Sequence, residues 1–414
     1  MDLNATPSSE RIHIGIFGKR NAGKSSLINA ITGQNLAIVS DTKGTTTDPV
    51  YKAMEILPLG PVMIIDTPGI DDEGELGTQR VQKAVQVLNK TDIAILVIDS
   101  TLGPDKEDTA LLARIKEKKL PVIAVFTKAE AAADLTNYEK ILGVKCMAVS
   151  SVSGRNIAEL RTALAALVPD KKSTQQLVGD LVNPGDTAVL VVPVDSAAPK
   201  GRPIDSAAPK GRLILPQQQV IRGLLDAGAT AFVTQDKQLE SCLAALKEKP
   251  KIIITDSQVF GFVAKTVPND VLLTSFSILF ARYKGDLKEA VRGVNMLKHI
   301  KDGDRILISE GCTHHRQCDD IGTVKLPAWI KKFTGAEPAF EWTSGTAFAE
   351  DLTKYKMIIH CGACMLNEKE MQHRISCAKN QGVPITNYGI AIAYINGILR
   401  RTLQPFPDIL KELE

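Results

Sequence analysis

A glycine-rich octapeptide, GKRNAGKS at residues 18–25, matches the pattern GxxxxGK[ST] and constrains the fold more than any other feature of the chain. An apolar run at residues 12–17 predicts a β-strand directly before it, and residues 26–32 predict a helix directly after it. A glycine loop between a strand and a helix lets backbone N–H groups curl around a phosphate. The octapeptide therefore predicts an α/β domain that begins with a phosphate-binding strand–loop–helix unit.

Apolar runs rich in Ile and Val alternate with amphipathic stretches along the chain, which predicts βαβ units with parallel strands. A length of 414 residues predicts two or three domains, and a polar break at residues 169–174 suits a first linker. The octapeptide DSAAPKGR occurs twice after this break in the sequence, at residues 195–202 and 205–212. Its composition predicts a loop. The same stretch has no recognisable catalytic constellation, and its candidate strands are residues 188–194, 213–215, 231–234 and 252–255.

Composition excludes several functional classes. Hydrophobic residues make up 44% and charged residues 23% of the chain, as in an ordinary globular protein, and 50 basic side chains against 47 acidic ones predict no nucleic-acid partner. The longest apolar runs are far shorter than the roughly 20 residues of a membrane helix, so no membrane association is expected. Residues 1–10 lack the apolar core of a signal peptide, which predicts a cytoplasmic protein whose seven cysteines are thiols or metal ligands.

A second motif, DTPG at residues 66–69, follows an apolar strand at residues 62–65, as the second nucleotide motif of GTPases does. There Asp66 can hold Mg²⁺ through water, and the Gly69 N–H can sense the γ-phosphate. Mg²⁺ also needs Ser25 and a switch-loop threonine, for which we favour Thr46 over the neighbouring Thr45. Lys24 supplies the charge on the β and γ oxygens. The predicted nucleotide-binding residues of the first loop are Gly18, Asn21, Ala22, Gly23, Lys24, Ser25 and Ser26.

Recognition of the base departs from the usual GTPase pattern Asn-Lys-x-Asp. The strand at residues 122–126 ends in Thr127, Lys128, an alanine and Glu130, so both polar anchors are altered and guanine selectivity is expected to be relaxed. Ser150 and Ser151 suit the last base-contacting loop. The chain is thus predicted to be α/β with three domains. A P-loop GTPase with a doubly wound sheet spans residues 1–170, and two smaller α/β parallel-sheet domains span 171–270 and 271–414.

Residues 11–168 resemble the bacterial translation-factor-like GTPases that assemble through potassium-dependent contacts. Asn21 occupies the position where those proteins place a potassium ligand, and Ile70 stands where others carry a water-orienting glutamine. The resemblance implies slow hydrolysis, stimulated by K⁺ in place of an arginine finger, and a nucleotide that serves as a switch. A loop-stabilising role for Asn21 is the alternative.

The last third of the chain carries a cysteine signal. Cys312 and His314 form a CxH motif, and 45 residues later His360, Cys361 and Cys364 form HCxxC, each after an apolar strand. Because carboxyl ends of parallel strands meet at one sheet edge, the three thiolates are expected to converge. Three cysteines leave a tetrahedral zinc or a [4Fe–4S] cluster one ligand short, to be supplied by His314, His360 or an exchangeable oxygen. Residue types alone favour the two metals about equally.

A GTPase block, a motif-poor middle and the CxH and HCxxC pair together resemble the HydF family of [FeFe]-hydrogenase maturation GTPases, as do residues 205–217 and 310–315. The resemblance implies that Cys312, Cys361 and Cys364 hold a [4Fe–4S] cluster and that the middle domain makes a homodimer. It also implies a scaffold that carries a transient two-iron precursor to apo-[FeFe]-hydrogenase, with radical-SAM maturases as suppliers. The alternatives are a regulatory GTPase with a structural zinc module and an iron–sulfur redox enzyme whose GTPase block is vestigial.

Overall fold

A computed structural model describes residues 6–33, 48–69, 83–128, 135–168, 176–193, 213–311, 320–345 and 347–413. The chain divides into an N-terminal unit, residues 1–172, and a C-terminal unit, residues 173–414. Several predicted features lie outside the described residues, namely Thr45, Thr46, Ile70, Glu130, Cys312, His314 and the doubled octapeptide. Within the described ranges, no helix is long and apolar enough to cross a membrane.

The N-terminal unit is built on one six-stranded sheet. Its strands are β1 Ile12–Gly18, β2 Val50–Ile56, β3 Gly60–Asp66, β4 Ile93–Asp99, β5 Val122–Thr127 and β6 Cys146–Ala148. Its labelled helices are α1 Lys24–Thr32, α2 Lys106–Glu117, α3 Leu135–Leu142 and α4 Ile157–Leu167, and residues 83–88 are also helical. The strand order is β2-β3-β1-β4-β5-β6, and every pairing is parallel except the hairpin of β2 with β3.

Continuous apolar strands such as β4 exist here because both faces of the sheet are covered. Ile93, Ile95 and Val97 of β4 pack into the core on one face, whereas Ala94, Leu96 and Ile98 pack into the core on the other. Because helices cover both faces of the sheet, the carboxyl ends of β1 and β3 are the part of these strands that is left uncovered. The predicted doubly wound GTPase sheet is therefore confirmed.

The C-terminal unit contains two four-stranded sheets. The first is formed by β7 Thr187–Val191, β8 Thr230–Thr234, β9 Ile252–Thr255 and β10 Leu272–Ser275. The second is formed by β11 Arg305–Glu310, β12 Ala339–Ser344, β13 Met357–His360 and β14 Ile385–Asn387. Its helices are α5 Leu215–Asp226, α6 Leu239–Ala245, α7 Phe260–Thr266, α8 Phe276–Lys284, α9 Leu287–Val294, α10 Leu326–Thr334, α11 Glu368–Asn380, α12 Tyr388–Ile395, α13 Leu399–Thr402 and α14 Pro407–Leu410.

Both sheets of this unit are parallel, in the orders β10-β9-β7-β8 and β12-β11-β13-β14. One hydrophobic core serves both, since it contains Val189 of β7 together with Ile306 of β11 and Ile359 of β13. Leu307 and Ile358 point the other way, into a smaller core beneath α11. The predicted pair of α/β parallel sheets is thus present, and the two sheets share their packing.

The predicted strand at residues 213–215 is wrong, because α5 begins at Leu215. Pro216 occupies the first turn of that helix, where its missing N–H costs nothing, and Gln217 accepts a bond from the Ile214 N–H. The predicted boundary at residue 270 lies just before β10, which completes the first of the two sheets through its pairing with β9.

Candidate functional site: a phosphate loop and a cysteine turn

The phosphate loop requires glycine where the chain passes close to β4. Gly18 has φ of 145°, and a Cβ atom there would lie 2.3 Å from the Val97 carbonyl oxygen. Gly23, at φ of 91°, lets the loop turn into α1. Asn21 also adopts a left-handed conformation, which asparagine tolerates better than most residues. The loop conformation thus explains the glycine positions of the octapeptide.

Lys24 lies buried at the start of α1 and reaches back across the loop. Its Nζ donates to the Gly18 carbonyl oxygen at 2.9 Å and to the Lys19 carbonyl oxygen at 2.6 Å. These bonds hold the ammonium group inside the ring of backbone that cradles a phosphate. The position suits the predicted role of Lys24 as a charge on phosphate oxygens.

Ser25 and Asp66 face each other across the edge of the sheet. The Ser25 hydroxyl donates to Asp66 Oδ2 at 3.4 Å, and burial raises the pKa of Asp66 against the opposing effects of Lys24 and Ser25. The Thr67 N–H and hydroxyl both donate to the Ile16 carbonyl oxygen, at 3.3 and 2.6 Å, and fix the end of β3 beside β1. A hydroxyl and a carboxylate held in this way are hard oxygen ligands of the kind that Mg²⁺ prefers.

Thr127 links the loop that is predicted to recognise the base to the phosphate loop. Its buried hydroxyl lies 2.5 Å from the Ala22 carbonyl oxygen and 3.3 Å from the Ile98 carbonyl oxygen, and it can donate its single proton to either. Although threonine replaces the usual asparagine at this position, its hydroxyl still bonds to the phosphate loop. Lys128 pairs with Asp99 at 2.6 Å.

Sequence reasoning missed the pairing of Asp99 with Lys128. Burial raises the pKa of Asp99, but hydrogen bonds from Lys128 and Thr101 outweigh that effect and hold the pKa below its usual value. The charged pair fixes Lys128, whose φ of 54° is in the left-handed region. No sequence motif predicts this contact. Asp99 comes directly after an apolar run, and a solvated carboxylate with no partner could stand in the same place.

The two predicted serines of the last loop differ in their bonding. Ser150 is buried and its Oγ accepts the Ser153 N–H at 3.2 Å. The Ser151 Oγ is buried and has no hydrogen-bond partner within the part of the chain that the structure describes. Buried hydroxyls are nearly always bonded, so an orphan hydroxyl at this edge is consistent with a ligand that would complete it.

The predicted convergence of the three thiolates stays a prediction, because Cys312 lies outside the described residues, but the strands that precede the two cysteine motifs are adjacent. β11 and β13 are neighbouring parallel strands, with Ser309 paired to His360, so their carboxyl ends lie side by side. The Gly311 N–H donates to Cys361 Sγ at 3.1 Å, and the Ala363 N–H lies 3.4 Å from the same sulfur. Gly311, the last described residue before Cys312, therefore lies beside the Cys361 sulfur.

Within the described ranges, no group of three or more His, Cys, Asp or Glu side chains is placed to hold a metal ion. Cys361 and Cys364 are both free cysteines, and they lie in one turn after β13. Burial raises the pKa of the Cys361 thiol, while the two N–H donors at its sulfur lower it. Backbone donors aimed at sulfur are a common feature of iron–sulfur ligation, so the donor set fits a cluster.

His360 has both ring nitrogens engaged by the protein. Nδ1 lies 2.9 Å from the Cys361 carbonyl oxygen and Nε2 lies 3.1 Å from Arg374 Nη1. Because a guanidinium group can only donate, Nε2 accepts and Nδ1 carries the proton. Burial and the Arg374 charge lower the pKa of His360 to about 3. The neutral ring is thus committed to internal bonds, and this geometry does not present His360 to a metal.

Arg374, which the sequence did not single out, is fully buried behind this histidine. It donates to Glu370 Oε1 at 3.0 Å, to the Ser309 hydroxyl at 3.2 Å and to the Gly345 carbonyl oxygen at 2.7 Å. One side chain on α11 therefore joins the ends of β11, β12 and β13. The only signal in the sequence is the spacing of Glu370 and Arg374, which places them on one helix face.

The fold and the two sites define a class: a P-loop GTPase joined to α/β parallel-sheet domains that carry a cysteine turn. Family models divide the chain in the same way. A model described as 50S ribosome-binding GTPase matches residues 13–128, the hydrogen maturase F dimerization domain matches residues 202–285, and the hydrogen maturase F tetramerization domain matches residues 288–405. The chain belongs to the hydrogen maturase F family, HydF.

Curated relatives match the GTPase block. The tRNA modification GTPase MnmE of Nitrosomonas eutropha is 34% identical over 160 residues, which is 38% of this chain and 35% of that protein. GTPase Der of Kosmotoga olearia is 35% identical over 135 residues, 31% of this chain and 30% of that protein. The chain thus spans about a third of the length of these relatives.

Solved structures of GTP-binding proteins are similar to part of this chain. Era of Aquifex aeolicus is 22% identical, with a TM-score of 0.35, and the overlap covers 54% of this chain and 92% of that one. The G domain of the Thermotoga maritima iron transporter FeoB is 26% identical, with a TM-score of 0.30, over 38% of this chain and 99% of that one.

Proposed function

We propose that the protein is a GTP-hydrolysing scaffold of hydrogenase maturation that binds a [4Fe–4S] cluster through Cys312, Cys361 and Cys364. In this proposal it carries a two-iron precursor, made by radical-SAM maturases in the cytoplasm, to apo-[FeFe]-hydrogenase. The observation that carries the cluster assignment is the hydrogen bond from the Gly311 N–H to the Cys361 sulfur, because Gly311 is the residue directly before Cys312. Membership of the hydrogen maturase F family supports the biological context.

The nucleotide half of the proposal is supported by the positions of Lys24, Ser25 and Asp66 around the phosphate loop. Lys24 neutralises phosphate oxygens, while Ser25 and Asp66 hold Mg²⁺ together with Thr46. Thr127, Lys128 and Glu130 contact the base with Ser150 and Ser151. Asn21 binds an activating K⁺, and turnover is slow because Ile70 cannot orient the attacking water.

The metal half rests on three cysteines and one further ligand. A [4Fe–4S] cluster held by three thiolates has one iron with an exchangeable position, which supplies a point of attachment for another iron group. Since His360 is held by Arg374 and by the Cys361 carbonyl, His314 or an exchangeable oxygen is the better candidate for the fourth ligand. Cys361 anchors the site because backbone donors orient its sulfur.

Metal analysis tests this assignment. We expect anaerobically purified protein to contain about four irons and four sulfides per chain and to give a cluster signal in electron paramagnetic resonance after reduction. Cys361→Ser should lose most of this iron. Cys242→Ser, which removes a partly buried thiol that belongs to neither cysteine motif, is the matched control and should keep it. One zinc per chain in a colourless protein would instead support the regulatory GTPase with a structural zinc module.

Dimerisation through the middle domain is the second testable element. Among the described strands β8 is the edge of its sheet, and it exposes Phe232 and Val233 by 41% and 47%. An open, apolar edge strand is prone to pair with another chain, and the domain matches a dimerization model.

We expect Phe232→Asp to shift the protein toward smaller species, because a carboxylate would be buried at the β8 edge of the proposed dimer. Light scattering after size-exclusion chromatography measures the mass. Leu57→Asp, an exposed position in the N-terminal unit, is the control that should leave the mass unchanged. An unaltered mass for Phe232→Asp would place the dimer contact elsewhere.

A further inference from the structure

Lys284 is a buried lysine at the end of α8 whose contacts lead to the cysteine turn. Only 2% of its surface is exposed. Its Nζ donates to the Leu366 carbonyl oxygen at 3.1 Å and lies 3.5 Å from the Cys364 carbonyl oxygen. The ammonium group also lies over the Phe280 ring, 5.4 Å from the ring centre. The side chain thus binds the backbone that carries the third proposed cluster ligand.

The groups around the Lys284 side chain are suited to a positively charged partner. Lysine is almost never fully buried unless its charge is compensated, because removal of an ammonium group from water is strongly unfavourable. Carbonyl oxygens and an aromatic face each stabilise a positive charge. Arg374, the other buried cation near the turn, bonds to the Glu370 carboxylate, so that pair adds little net charge.

Lys284 also connects the two parts of the chain that match different family models. Lys284 lies within residues 202–285, which match the dimerization domain, whereas Cys364 and Leu366 lie within residues 288–405, which match the tetramerization domain. The Gln372 amide of α11 donates to the Gly285 carbonyl oxygen at 2.9 Å and so fixes the same end of α8. The cysteine turn therefore rests on a helix of the preceding domain.

We propose that Lys284 is a positioning residue of the cluster site, which holds the Cys364 turn in place and sets a positive charge beside the cluster. The inference rests on the proposed function, because it presupposes a cluster on Cys364. A cubane held by three thiolates is anionic and gains a further negative charge on reduction. A nearby cation stabilises the reduced form more than the oxidised form, so Lys284 raises the reduction potential.

Three variants test this role. Lys284→Met removes the charge and the hydrogen bonds, Lys284→Gln removes the charge but keeps an N–H donor, and Lys331→Met changes a surface lysine on α10 as the matched control. We expect the midpoint potential of the cluster, titrated by electron paramagnetic resonance, to become more negative in both Lys284 variants and to stay unchanged in the control. A potential equal to that of the wild type in the Lys284 variants would overturn the electrostatic role.

A second readout uses the apo-protein and needs no cluster. Alkylation of Cys364, followed by mass spectrometry, should be severalfold faster in Lys284→Met than in the wild type, because the turn is released. Equal alkylation rates would overturn the positioning role, as would a rate increase that the Lys331→Met control shares. If the wild type binds no iron at all, the proposed function fails, and the alkylation rates alone decide whether Lys284 holds the turn.

Discussion

Substitution of Arg374 by methionine is expected to lower the free energy of unfolding of the C-terminal unit by about 3–5 kcal/mol. The guanidinium group is fully buried and bonds to a carboxylate, a hydroxyl, an imidazole and a carbonyl oxygen. Methionine fills similar space but leaves the Glu370 charge without its partner in the interior. The cost is the desolvation of these orphaned groups, to which the loss of contact between three strand ends is added.

Urea denaturation followed by circular dichroism measures this loss. Lys379→Met is the matched control, because Lys379 lies on the same helix but is half exposed and pairs with Asp286 and Glu289 at the surface. Its removal should cost less than about 1 kcal/mol. The double variant Arg374→Met with Glu370→Gln should recover part of the stability, since the uncompensated charge is then gone. Equal losses for Arg374→Met and the control would contradict the buried network.

Replacement of Lys24 by alanine is expected to reduce GTP hydrolysis by about 10²-fold or more, the range seen when a preorganised donor to transition-state charge is removed. The ammonium group lies inside the phosphate loop and bonds to two of its carbonyl oxygens. Phosphate release measured in single-turnover conditions reports the effect. Lys19→Ala is the matched control, because Lys19 belongs to the same loop but its side chain contacts Asp105 and Glu107.

The same variant tests whether the nucleotide controls the scaffold. The fusion of a switch domain with a cluster site suggests that GTP hydrolysis governs the exchange of partners. If so, Lys24→Ala protein loaded with the two-iron precursor should activate apo-hydrogenase more slowly than the wild type does. Delivery and partner release at wild-type rates, with hydrolysis abolished, would exclude this coupling.

Motifs with a fixed local geometry could be predicted from the sequence. The glycine loop, the DTPG segment and the strand ends beside Cys361 all follow from short-range rules, and the structure places them accordingly. Each of these features needs only a strand, a turn and the rule that parallel strands share their carboxyl edge. The positions of Thr46, Glu130, Cys312 and His314 stay predictions, because they lie outside the described residues.

Features that depend on tertiary contacts could not be predicted in this way. Arg374 and Lys284 look like surface charges in the sequence, and only the packing of α8 and α11 against the sheet reveals that they are buried. His360 looks like a metal ligand until Arg374 is found beside its Nε2. The apolar residues 213–215 have the composition of a strand. Pro216 and Gln217, which follow them, favour the start of a helix instead.

The two sheets of the C-terminal unit share one hydrophobic core. This shared core constrains where recombination between related genes can divide the chain. Because Val189, Ile306 and Ile359 pack in a single interior, a gene fragment that ended between residues 285 and 288 would encode half of that interior. Recombination among relatives should therefore preserve the two segments as one module, whereas the GTPase block, which has cores of its own, can be replaced by itself.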